Sequence, residues 1–223
     1  MNTDNASIAG ETIDYGPCAF MDTYHPMRVF SAIDQHGRYA YQNQPGIATW
    51  NMAQFATSLI PLMDDRDKAV EDFTVAVNGF NDIFDVERRR VFGVKLGISD
   101  MSEDDDALVA DLLDLMAKEG ADFTNTFADL DAARDQFVDR EAYDAWHARW
   151  SKRRNATPVN PLIIPRNHLV EAMIDAALEG EFAPFHQMLA ATTDPFAPLT
   201  DATAPFAKAP TSEEQVIRTH CGT

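Results

Sequence analysis

The chain has 223 residues, 45% of them hydrophobic, two cysteines and a formal net charge of −18. That is enough chain to build one sizeable core, with no apolar run of about eighteen residues to span a bilayer. Such an acidic surface repels nucleic-acid phosphates and anionic lipid, and two cysteines make neither a disulfide framework nor a zinc site.

Residues 1–46 carry turn signals at Gly10, Gly16-Pro17, Pro26, Gly37 and Pro45-Gly46. Short β-prone pieces at Ile8 and Thr12-Ile13 lie between them. The segment reads as a small hairpin and loops, and loops this long in a compact domain are usually functional. Asp4, Glu11 and Asp14 stand in the first twenty residues, without Lys or Arg. That composition is unlike a secretory leader, and the expected location is the cytoplasm.

Residues 47–191 read as helical. Met52, Phe55, Leu59 and Leu62 recur at steps of three and four, which predicts one helix face. Further helices are expected over roughly Lys68–Phe84 and Val86–Leu96. Ser102 with Asp105 forms a capping-box pattern ahead of Leu108, Val109, Leu112, Leu113 and Met116, and Gly120 closes that helix. The run Glu103-Asp104-Asp105-Asp106 suits a solvated helix start against the positive dipole end. Phe123, Phe127 and Leu130 begin another helix. Tyr143, Trp146 and Trp150 share a face expected to pack in the core, ahead of the basic Lys152-Arg153-Arg154. Arg166 to Leu178 resumes after Pro161 and Pro165, with Arg166, Asn167 and His168 read as capping and packing residues. Phe185 to Ala191 is a last short helix. Residues 192–223 hold Pro195, Pro198, Pro205 and Pro210, which forbid a long helix. The expectation is one domain made of a catalytic loop segment (1–46), a helical body (47–191) and a Pro-rich tail (192–223).

Chemistry concentrates near the start, in Asn2-Thr3-Asp4-Asn5 and Gly10-Glu11-Thr12-Ile13-Asp14-Tyr15-Gly16-Pro17. Asp4, Asn5 and Asp14 converge if a hairpin joins them. Oxygen donors of this kind suit Mg²⁺, which takes one or two carboxylates plus substrate phosphates. A separate carboxylate can deprotonate a hydroxyl nucleophile. Protein kinases divide the work in this way, and Asp14-Tyr15-Gly16 has the form of their second metal motif. Taken alone, these three residues are better read as ordinary turn residues whose side chains bond nearby backbone.

The longer string is more specific. Residues 2–5, then Gly10 to Asp22, then His25-Pro26, then Gly37-Arg38-Tyr39, Gln44-Pro45 and Trp50-Asn51 together resemble the selenoprotein O (SelO) family of protein adenylyltransferases. The likeness is sharpest over residues 2–51 and extends to the closing Cys221-Gly222-Thr223. It implies a mainly α, protein-kinase-like C-terminal lobe with a short hairpin-and-loop catalytic segment. It also implies transfer of AMP from ATP to Ser, Thr or Tyr hydroxyls of acceptor proteins, with ATP reversed relative to ordinary kinases. Asp4 matches the family's catalytic base. Asn5 and Asp14 match its ligands for Mg²⁺ (or Mn²⁺), and Asp14 lies by the ATP phosphates. Ala6 stands where the family pattern has Met, a packing change.

The resemblance also implies a long region ahead of residue 2, with a glycine-containing nucleotide loop, a phosphate-binding Lys, its Glu partner and basic residues. None falls within these 223 residues, so Met1 is read as an internal methionine of a longer frame, and the chain alone is expected to bind Mg·ATP weakly and not to transfer AMP. A separately encoded N-terminal lobe is then an expected partner. Some members pair a C-terminal cysteine with one upstream; Cys221 fits the first position, the second aligns with Phe30, and Cys18 lies beside the metal motif. A kinase transferring phosphate and a non-catalytic helical partner-binding domain are the competing readings.

Overall fold

The computed structural model describes residues 6 and 7, 9 and 10, and 19–219. Nine α-helices form within these residues: α1 (Gln44–Leu59), α2 (Arg66–Asn78), α3 (Phe80–Leu96), α4 (Asp106–Glu119), α5 (Phe123–Ala128), α6 (Arg140–Arg153), α7 (Asn167–Leu178), α8 (Ala183–Thr193) and α9 (Ala204–Ala207). The protein is mainly α. Among the described residues the β structure is limited to isolated bridges, such as the antiparallel one from Thr23 to Asp122. The expected hairpin pieces Ile8 and Thr12-Ile13 lie outside the described residues.

The core forms where the end of α3 meets α4, α5 and α6. Leu96, Leu112, Met116, Phe127 and Trp150 are buried together there. Burial of each such side chain contributes about 1.5–3 kcal/mol. The indoles bury their polar edges against carbonyls at helix ends: Trp146 Nε1 donates to Leu108 O and Trp150 Nε1 to Leu96 O, both at 2.8 Å. The rings of Trp146 and Trp150 stack at 5.8 Å, so the expected core packing of this pair holds.

Three expected helix patterns change. Leu130 falls in the turn after α5, which ends at Ala128, and does not continue the helix of Phe123 and Phe127. The chain breaks at Gly79, with α2 ending at Asn78 and α3 starting at Phe80. Gly79 donates to Val75 O and closes α2 without a side chain of its own. Leu62 does not share the face of Met52, Phe55 and Leu59. Pro61 ends α1 in a 3₁₀ turn, Ile60–Leu62, that leaves Leu62 78% exposed.

The capping box at Ser102–Asp105 forms as its pattern predicts. The acidic run behind it is not simply solvated. Asp105 is buried and takes Arg153 Nε at 2.7 Å, while Asp106 takes Arg89 at 2.9 Å. The basic end of α6 is therefore a clamp on the start of α4 as well as a favourable partner for its own dipole.

Candidate functional site

Asp4, Asn5 and Asp14, and also Cys18 and Cys221, lie outside the described residues. Among the described residues no group of His, Cys, Asp and Glu is arranged to hold a metal ion. The structure does describe what anchors the chain on leaving this motif.

Residues 19–24 run along the start of α5. Phe123 N donates to Asp22 O at 2.8 Å and Tyr24 N to Ala121 O at 3.0 Å. Asp122 caps α5 by accepting from Asn125 N at 2.8 Å. Between Asp22 and Asp122 sits Arg166, fully buried. Its guanidinium donates to Asp22 Oδ1 at 2.8 Å, to Asp122 Oδ2 at 2.7 Å and Oδ1 at 3.1 Å, and to Asn125 Oδ1 at 2.9 Å. Asn167 completes the anchor, accepting from Phe20 N at 3.1 Å and donating to Phe20 O at 2.8 Å. Burial opposes the Arg166 charge, but hydrogen bonds and charge from Asp122 and Asp22 more than offset it and raise its pKa above the ordinary arginine value. Arg166 takes the N-cap position of α7 without capping it through its side chain; it is a packing residue through its ion pairs.

The Gly37-Arg38-Tyr39 and Trp50-Asn51 pieces form a second anchor. Asp34 accepts the backbone N–H groups of Arg38 and Tyr39, each at 2.8 Å, and Asn43 donates to Gly37 O at 2.8 Å. Gly37 has φ +65°, which suits glycine. Arg38 lies over the Trp50 ring at 4.8 Å. The tail returns to this region. Ala32 N donates to Thr219 O at 2.8 Å, and Thr219 Oγ1 donates to Phe30 O at 2.7 Å.

Between the two anchors lies a cavity of about 320 Å³, walled by Phe20, Phe30, Tyr41 and Phe123, with Lys95 the one cation among its described lining residues. Asn160 reaches it because the chain after α6 folds along the end of α3: Asn155 N and Ala156 N donate to Gly97 O, and Val159 N to Val94 O. Lys95 and Asn160 gave no signal in the sequence, since one is a lone lysine in an apolar helix stretch and the other an asparagine beside a proline. Asp22 fell within the resemblance, but its partner Arg166 is 144 positions away.

Comparison with known proteins gives the site its context. The sequence profile of the family described as "Protein adenylyltransferase SelO" matches residues 1–152. The chain is 52% identical to the "Protein nucleotidyltransferase YdiU" of Roseobacter denitrificans and 50% identical to that of Ruegeria sp. (strain TM1040), with all of this chain and 49% of each relative covered. The corresponding protein of Methylorubrum populi is 46% identical, with 51% of its length covered. The chain thus spans about half the length of the curated relatives it matches. With the matched region holding Asp4, Asn5 and Asp14, together with the Asp22 and Gly37-Arg38-Tyr39 anchors, the chain belongs to the SelO family of nucleotidyltransferases.

Proposed function

We propose that these residues are the half of a protein adenylyltransferase that supplies the catalytic base and the metal ligands, within a protein-kinase-like fold. The observation that carries this is the family match over residues 1–152, which includes the Asp4-Asn5 and Asp14-Tyr15-Gly16 motifs. In the proposed reaction an acceptor Ser, Thr or Tyr hydroxyl attacks the α-phosphorus of ATP. Asp4 takes the hydroxyl proton, the bond from the α-phosphorus to the bridging oxygen breaks, and pyrophosphate leaves. Asn5 and Asp14 supply hard oxygen donors suited to Mg²⁺ or Mn²⁺. The metal, when bound, neutralises phosphate charge that an acidic chain would otherwise repel.

Positioning does most of the work in such transfers. The 223 residues carry no glycine loop or phosphate-binding lysine of the kind the resemblance implies. On their own they are expected to bind Mg·ATP weakly and to leave acceptor proteins unlabelled.

A second reading is favoured by an apolar groove between α7 and α8, lined by Met173, Ile174, Leu178, Phe182 and Phe185. Leu178 is 82% exposed, and an apolar patch rimmed by polar residues marks an interaction surface. In this reading the chain is a non-catalytic helical domain whose partner is a separately encoded N-terminal lobe.

One experiment separates the readings. The chain is incubated with α-labelled ATP and Mg²⁺, alone and with the remaining half of the Roseobacter denitrificans relative. The proposal expects label on protein in the mixture, none with the chain alone and none with Asp4→Ala. Robust labelling by the chain alone, abolished by Asp4→Ala, would refute the need for the other half. Transfer from γ-labelled ATP only would favour a kinase. A stable complex with no transfer would favour the partner-binding domain.

A further inference from the structure

Lys95 is the one cation among the described residues that line the cavity, and it is partly buried there. Its ammonium donates to Asn160 Oδ1 at 3.2 Å and sits 5.0 Å and 5.4 Å from the ring centroids of Phe127 and Phe123. No carboxylate among the described residues pairs with it. Among the described residues the fully buried cation that does pair with carboxylates is an arginine, Arg166 with Asp22 and Asp122. An ammonium has three donors, and Asn160 takes one. The two aromatic faces attract the charge without satisfying its remaining N–H groups. Burial pushes the Lys95 ammonium below the ordinary lysine pKa, as expected when a charge leaves water without an opposite charge beside it.

Asn160 is itself held, since its Nδ2 donates to Lys95 O at 2.9 Å. The lysine is therefore aimed and not merely tucked away. The space it lines, about 320 Å³ with aromatic walls at Phe20, Phe30 and Tyr41, matches the size and character of a small-molecule site. We propose that this cavity binds a small-molecule carboxylate with an apolar body, the carboxylate on Lys95 Nζ and the body against the aromatic wall. A phosphate dianion fits less well. One cation in an aromatic setting balances one negative charge, there is no arginine fork to engage a second oxygen pair, and the net charge of −18 opposes more. The inference is independent of the nucleotidyl-transfer reading.

The test titrates the full chain with 4-phenylbutyrate by calorimetry, with its neutral amide and phenyl phosphate as comparisons. The expected result is one saturable site for the carboxylate, with the amide and Lys95→Met each weakening binding at least about tenfold, the scale of one charge-assisted hydrogen bond. Val138→Ser, at an 89% exposed position ahead of α6, should leave binding unchanged. Absence of saturable binding, equal binding by Lys95→Met, tighter binding of phenyl phosphate, or loss of binding in Val138→Ser would overturn the proposal. Should Lys95→Met fail to fold, the unsubstituted chain decides: 4-phenylbutyrate, and not its amide, should slow reductive methylation of Lys95 as read by peptide mass spectrometry. Absence of that protection would also overturn it.

Discussion

Arg166 shows how much a single residue can hold at this site. It joins the segment that follows the Asp14-Tyr15-Gly16 motif (through Asp22), the start of α5 (through Asp122 and Asn125) and the tail (through Ala207 O at 3.2 Å). Replacing it with methionine would leave two carboxylates facing each other in a poorly hydrated place. Breaking a buried pair costs about 3–5 kcal/mol, and Arg166→Met should lose that much in urea unfolding. Adding Asp22→Asn and Asp122→Asn should restore part of it, because the three positions are coupled. A second residue-scale prediction concerns Asp105. Burial raises its pKa, yet Arg153 and the Ser102 backbone and hydroxyl outweigh burial and hold it below the ordinary carboxylate value. Its contribution to stability is therefore complete above about pH 4 and fades as pH falls through the lowered folded value. The stability gap between the wild type and Asp105→Asn should be level from pH 7 to about pH 5 and should close on further acidification, as followed by urea midpoints. The capping box itself was legible, since Ser102 and Asp105 are three positions apart. Arg153, the cation 48 positions from Asp105, was not, because nothing local links them.

At the scale of elements, helix positions followed from apolar spacing, while their ends depended on contacts the spacing does not contain. Gly97 ends α3 with φ +66°, and a Cβ there would also meet Ala156 O and Pro158. Gly180 has φ +91° but open space around it. Gly97→Ala should cost more than about 2 kcal/mol, combining left-handed strain of about 1–2 kcal/mol with a backbone collision. Gly180→Ala should cost only the strain, and paired thermal melts would show the difference. The effect of Gly97 reaches further, because the same turn brings Asn160 to Lys95. A reader of the sequence could expect glycine after a helix, but not that residues 155–160 would lie against that glycine.

For the molecule as a whole, the charge of −18 leads to a simple expectation. The chain should not retard DNA in a gel at low salt, where any electrostatic attraction would be strongest. A shift that vanishes at high salt would contradict it. No helix among the described residues is long and apolar enough to cross a membrane. The motif that identifies the family was legible because its chemistry is packed into a short string. The anchors at Arg166 and the Lys95 cavity were not, since each is assembled from segments distant in sequence and bears no repeat, spacing or composition of its own.

The contact between Thr219 and residues 30–32 has a practical consequence for handling the protein. Two hydrogen bonds hold the tail there, one spanning 189 positions of sequence, so the last described residues are stitched to the region that walls the cavity. A purification tag or fluorescent fusion joined just after residue 219 would not hang in solvent at a neutral distance. It would begin at the residue whose hydroxyl donates to Phe30 O, and Phe30 walls the cavity.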